Sequence, residues 1–312
     1  MTIDAFWSWW AGARGAVAGA LEAQQYDAPI IGELHANVIA LGLVCELGPG
    51  LQARHAVCVS SQGDPSLRKQ AYRWRDASPG ADAEFEYHPG RLAPANAADL
   101  VLEVEGDRFA FSQLHFAITL DVERLELDLV VEHPEFPRLA EEARLQIGYL
   151  ALDSVLGEEE VERWVGAIEW SAAPPSAPSD IHELRARVQA LRVSAPPEHT
   201  WAVLRGQDAL AIAARPLRPV DHPYFDHVCE LSMLLEDGDL SALQDQEEEL
   251  HAAFAGRAFH AASLTAGGER TAFVYVDGDR STPVELAAWA SERGYEFDSH
   301  RDPAWEAVRP FR

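Results

Sequence analysis

The sequence predicts an α+β protein of two domains, each a two-layer, ferredoxin-like α/β sandwich with a mainly antiparallel sheet. Three observations lead there. A chain of 312 residues has the length of about two domains. Hydrophobic residues make up 47% of it, with 9 Trp and 12 Phe, which supplies a core for each domain and excludes disorder and a disulfide scaffold. Short alternating apolar runs are interspersed with helix-periodic ones, without the regular βα alternation of a doubly wound nucleotide-binding fold.

The elements follow in order. Phe6, Trp10, Val17 and Leu21 recur at helical spacing after Thr2, a good N-cap residue, and predict an amphipathic helix docked on its domain. Asp4 and Arg14 break the pattern of a secretion signal, and no run is long enough to span a membrane. "LVCELGPG" and "HAVCVSS" read as strands around a Gly-Pro-Gly turn. "DPSLRKQAYRWRDA" reads as a helix capped by Asp64, with Pro65 at its first position. "EFEYHP", "DLVLEVEG", "FAFSQLHFAITL" and "RLELDLVVEH" read as strands, residues 139–156 as a helix and "VERWVGAIEW" as a strand. The Pro/Ser/Ala stretch Ser171–Asp180 has the composition of a linker and predicts an N-terminal domain over 1–170 and a C-terminal one over 181–312. After the helix "DIHELRARVQAL" come strands in "TWAVLRG", "ALAIAARP" and "HVCELSMLLE", an acidic helix, a hairpin turning at Gly267-Gly268, and a last helix.

With 51 acidic against 25 basic residues the net charge is −26, which repels nucleic acid and anionic lipid and attracts cationic proteins. Lys69 is the only lysine. Cys45, Cys58 and Cys229 lie in apolar runs without CxxC spacing and read as reduced, buried thiols of a cytoplasmic protein.

"TWAVLRGQDALAIAARP", "LQDQEEELHAAF" and "AFHAASLTAGGERTAFVYVDGD" together resemble the bacterial domain-of-unknown-function family 695. The ending "ERGYEFDSHRDPAWEAV", with its Gly-Tyr and Asp-Pro-x-Trp elements, is similar to the B-type regulator of ribonuclease E activity. The resemblance covers about the last third of the chain. It implies no settled activity for the first family and, for the regulators, binding to a protein in place of catalysis. Where relatives show an aromatic ahead of the tyrosine in the second hairpin strand, this chain has Phe273-Val274-Tyr275.

No nucleophile elbow, phosphate loop, dinucleotide fingerprint or zinc helix occurs. Asp221, His222, Asp226 and His227 carry metal-type donors, but Pro223 makes a turn of them and the two histidines would face opposite ways, so no metal and no cofactor is expected. His133 and Glu135 read as a strand exit ended by Pro134. Asp153 and Glu158, flanking a helix end at Gly157, are the acids with most claim to a perturbed pKa, although Glu158–Glu160 read as a solvated connection. Alternation in "RLELDLVVEH" and "DLVLEVEG" puts Glu126, Asp128 and Glu132, and Glu103 and Glu105, opposite the apolar face. If both segments share a sheet, these five carboxylates form one acidic face. The sequence therefore predicts a non-enzymatic binding protein that neutralises or regulates a basic protein, as an immunity protein or inhibitor does, through that face. The alternative is an enzyme or small-ligand receptor with a cleft between the domains.

Overall fold

In the computed structural model, which describes residues 1–104, 107–196, 199–235 and 240–312, the chain falls into two compact units, Met1–Ala195 and Pro196–Arg312. The structure is mixed α+β, and among the described residues eight of ten strand pairings are antiparallel. No helix among the described residues is long and apolar enough to cross a membrane.

The first unit opens with α1 (Ile3–Glu22), capped by the Thr2 hydroxyl, which accepts the Ala5 N–H at 3.2 Å. Phe6, Trp10, Val17 and Leu21 are buried, as their spacing predicts. α2 (Pro29–Ile39) follows, then a three-stranded sheet in the order β1 (Val44–Pro49), β2 (His55–Ser60), β3 (Phe85–His88), with β3 parallel to β2. Between β2 and β3 runs α3 (Pro65–Asp76), where Asp64 accepts the Ser66 N–H at 2.8 Å and Lys69 lies on the buried side. One face of the sheet, with Cys45, Val57 and Val59, packs on Phe6, Trp10, Leu34 and Trp74. The Trp10 indole N–H donates to the Tyr87 hydroxyl at 2.8 Å, so the ring is buried without an orphaned donor.

β4 (Val101–Val104) and β5 (Asp107–Ala110) form a separate two-stranded ribbon. A third sheet has the order β6 (His115–Asp121), β7 (Glu126–Glu132), β8 (Val165–Ser171). Phe116, Leu129 and Val131 of this sheet share a core with Leu152 and Val155 of α4 (Glu141–Leu156), Trp164 of α5 (Glu158–Trp164) and Leu184 of α6 (Ile181–Ser194). Gly148 of α4 is fixed by this packing, since a Cβ there would lie 2.2 Å from the Trp170 ring.

Two segments differ from expectation. "FAFSQLHFAITL" is two strands, broken by a 3-10 turn at Phe111–Gln113 where the Phe111 N–H turns to the Leu100 carbonyl at 2.9 Å. "VERWVGAIEW" begins as helix, because Glu158, Glu159 and Glu160 occupy the first turn of α5, where the helix dipole favours negative charge. The division of the chain falls after α6, not in Ser171–Asp180. That stretch is stitched to β6 by a pair of hydrogen bonds between Phe116 and Ser179 at 2.8 and 2.9 Å, and Ile181, Leu184, Val188 and Leu191 of α6 are buried in the first unit. Among its described residues the first unit thus holds three small sheets where a single sandwich is expected.

The second unit is built on one six-stranded antiparallel sheet. Its strands are β9 (Thr200–Arg205), β10 (Ala209–Arg215), β11 (His227–Leu234), β12 (Ala258–Ala266), β13 (Glu269–Val276) and β14 (Glu296–Arg301), in the order β14-β11-β13-β12-β10-β9. α7 (Leu240–Ala253) and α8 (Thr282–Glu292) contribute Leu250, Leu286 and Ala290 to the core on one face; Trp305, Val308 and Phe311 of the chain end pack on the other. Gly267 and Gly268, at φ of 60° and 84°, make the β12–β13 turn a tight one. The Asp-Pro-x-Trp element is a structural device. Asp302 takes the Tyr275 hydroxyl at 2.6 Å and the N–H groups of Glu306 and Ala307 at 2.8 and 2.9 Å, and Trp305 donates to the Phe225 carbonyl at 2.8 Å.

Candidate functional site

The sheet face opposite the aromatic core of the first unit borders a cavity of about 690 Å³. Register explains which side chains reach it. Glu46 pairs with Cys58 and Gly48 with Ala56, and because strand side chains alternate, these four share the cavity face while Cys45 and Val57 point into the core. The other wall is the strap Arg91–Asn96, with Leu100 and Ser154 beyond it. The walls are largely apolar, the usual lining of a small-molecule site.

Three side chains fix the strap. Arg91 grips Glu46 with a fork, Nε at 2.6 Å from Oε2 and Nη2 on Oε1. Glu158 receives the Arg91 N–H on Oε2 at 3.1 Å and the Ser60 hydroxyl on Oε1 at 3.0 Å, while its own N–H donates to the Arg91 carbonyl at 3.0 Å. From α6, Arg185 donates to the carbonyls of Val155, Pro94 and Ala95 at 2.7, 2.8 and 3.3 Å. Gly157, between α4 and α5, sits at φ 93°, and a Cβ there would approach the Arg91 carbonyl to 3.2 Å, so glycine is required twice over.

Asp153, in the last turn of α4, shares this neighbourhood. Burial pushes its carboxyl up to about 7, the Glu158 charge adds to the effect, and Arg91 offsets only part of it. Near neutral pH it can therefore hold a proton and donate it. The Cys58 thiol is no ready nucleophile, since burial first and then the carboxylates of Glu46, Glu86 and Glu158 push it up to about 12. The Ser154 hydroxyl is turned onto the Leu150 carbonyl at 2.8 Å.

Gly48 and Pro49, expected in the turn, still pair with β2 as the end of β1, and the turn that follows, at 50–54, is closed by a carboxylate of the same chain. Glu86 accepts the N–H groups of Leu51, Gln52 and Ala53 at 2.6, 2.9 and 2.9 Å, so these amides are not free to cradle a phosphate. Burial pushes Glu86 up, but the three amides and His88 outweigh it and bring the carboxyl down to about 2.

Of the five acids expected on one face, the four that the structure describes are dispersed. Glu103 is exposed on the two-stranded ribbon, paired with Arg108, in a different sheet from the other three. Glu105 lies outside the described residues. Glu126 and Asp128 do stand together, around Arg124 at 3.7 and 3.2 Å, and Asp128 also takes the Ala167 N–H at 2.8 Å. Glu132 is buried against His115 at 2.8 Å. Of the earlier metal candidates, His222 stacks between Phe225 and Phe259, and Asp226 is buried, accepting from Gly278 and Arg301 at 3.3 and 3.5 Å. His133 is buried, its Nε2 3.1 Å from the Ala110 carbonyl. No three metal-ligating side chains cluster among the described residues. Asp153 and Glu158 are the pair that sequence reasoning and the structure both bring forward; Glu46, Arg91, Arg185 and Glu86 carry no motif.

Comparison of the chain with protein-family models, curated proteins and solved structures returns no match.

Proposed function

We propose that the first unit is a receptor for a small, mainly apolar molecule, held in the cavity with its polar end toward the Arg91–Glu46 pair and the Asp153–Glu158 carboxyls. The observation that carries this reading is a cavity of about 690 Å³, within the usual size of ligand sites, whose strap is held at both ends by charged side chains. Narrowing the cavity provides the test. In a thermal-shift screen of small metabolites, compounds that raise the Tm of the wild type should lose that effect in Ala95→Trp, which places an indole in the cavity wall. Compounds that stabilise both variants equally would defeat the reading.

The net charge of −26 favours a second reading, in which the protein binds and regulates a basic protein without catalysis. Glu126 and Asp128 are its best-placed groups. Its mark is an association rate that falls with salt and with Glu126→Gln/Asp128→Asn, and stays unchanged in a Glu248→Gln/Glu249→Gln control. We further read the second unit as a ferredoxin-like sandwich extended by β9 and β10, which the run β11-α7-β12-β13-α8-β14 and the order β14-β11-β13-β12 support. Three free, buried thiols support a cytoplasmic setting.

A further inference from the structure

The second unit contains a hydrogen-bonded chain unrelated to the cavity. Glu247 and His251 are one turn apart on α7, and both reach toward the sheet. His251 Nε2 lies 2.8 Å from His260 Nδ1 on β12. His260 Nε2 lies 2.7 Å from the Ser263 hydroxyl and 3.1 Å from the Ala262 carbonyl, and Ser263 donates to Glu247 at 2.6 Å. Arg270 on β13 closes the chain with a fork on Glu247, at 2.7 and 2.9 Å, and a bond to Thr265 at 2.9 Å. Trp201 on β9 lies against both imidazoles, its ring centroid 6.2 and 5.3 Å from theirs. His260, Ser263 and Arg270 are buried, whereas His251 is at the surface.

The direction of each bond follows from the acceptors. An ionised Glu247 only accepts, so Ser263 donates to it and takes the Nε2–H of His260 on its own oxygen. The Ala262 carbonyl, also an acceptor only, agrees. His260 Nδ1 is then a bare lone pair, and His251 must supply the proton between the two rings from its Nε2. A first added proton goes to His251 Nδ1 and leaves every bond in place. A second, on His260 Nδ1, sets two N–H groups against each other.

We propose that the His251–His260 contact is a proton-operated latch between α7 and the sheet, closed while His260 Nδ1 is a bare acceptor and open once that atom is protonated. The groups facing the pair are the carboxylates of Glu247 and Glu248 on α7, which favour its protonation, and the guanidinium of Arg270 on β13, which opposes it. Burial outweighs the carboxylates, lowering His251 and bringing His260 down to about 4. Folded-state values below the ordinary 6.5 mean that the latch contributes its full stability above that pH. The contribution is lost as pH falls toward 4.

Hydrogen exchange on the full chain tests this. After correction for intrinsic rates, protection of the α7 amides should fall roughly tenfold more than that of α8 between pH 7 and 4.5, about 1.4 kcal/mol. His251→Ala should exchange α7 faster at pH 7 and show a smaller extra fall. A wild-type α7 that follows α8, or an equal extra fall in His251→Ala, overturns the latch. Side-chain 15N shifts of the wild type decide independently of any variant: at pH 7 His260 should be the Nε2–H form, and an Nδ1–H form overturns the proposal.

Discussion

Glu86 and Asp153 are both carboxyl groups withdrawn from solvent in the first unit, and the surroundings hold them in opposite states. Glu86 has three backbone N–H groups and His88 around it and stays ionised down to about pH 2. Asp153 faces the charge of Glu158, gains only part of its compensation from Arg91, and keeps its proton up to about pH 7. Burial acts in the same direction on both, so hydrogen-bond donors decide which carboxyl is ionised. A saturated carboxylate closes a turn; an undersupplied one is available to a ligand.

The largest expected effect comes from removing the saturated one. Glu86→Ala leaves the amides of Leu51, Gln52 and Ala53 without their acceptor and should destabilise the first unit by about 3–5 kcal/mol in denaturant titration. A loss below about 1 kcal/mol would mean that water replaces the carboxylate and that the contrast with Asp153 is overdrawn. In the wild type this stabilisation is present above the ordinary 4.5 and lost as pH falls to about 2.

Asp153→Asn should act with the opposite sign. A folded-state value raised from 3.8 to about 7 means that stability is full below pH 3.8, is lost as pH rises between these values, and stays lost above them. The asparagine variant should match the wild type near pH 4 and exceed it by about 2 kcal/mol at pH 8, after allowance for the partial exposure of the site. Equal stability at pH 8 would show Asp153 to be solvated. The smallest effect belongs to the exposed acids. Glu103→Gln should change stability by less than about 0.5 kcal/mol, since its pair with Arg108 is open to solvent. Asp128→Asn should cost about 1 kcal/mol through its bond to the Ala167 amide, and equal values for the two would put both in the solvated class.

Local signals in the sequence were informative wherever one element suffices to decide a residue's surroundings. The caps at Thr2 and Asp64, the Gly267-Gly268 turn and the burial of Leu127, Leu129 and Val131 all follow from short-range pattern. Properties that depend on which elements meet were not legible. Alternation put Glu103 and Glu126 on polar faces, but nothing in either strand tells that β4 pairs with β5 alone. Ser171–Asp180 has a linker's composition, yet its role depends on bonds from Ser179 to a strand about sixty residues earlier. Asp153 and Glu158 stood out because a helix end at Gly157 separates them. Their partners Arg91 and Glu46 arrive from strap and strand, and Arg185 from a helix that the sequence assigns to the other domain.

The single lysine has a consequence at alkaline pH. With 24 arginines beside the buried Lys69, nearly all the positive charge resists deprotonation until beyond about pH 12. Several of the groups that would otherwise titrate from pH 9 upward are themselves withdrawn. Burial raises the three thiols to about 12 and raises the phenols of Tyr72, Tyr87, Tyr275 and Tyr295. Folded-state values above the ordinary ones favour the native state below pH 9 and withdraw that support as base is added. The share of tyrosinate absorbance that these four phenols supply should therefore be delayed beyond the range where free phenols ionise, and appear as the unit that buries each of them unfolds.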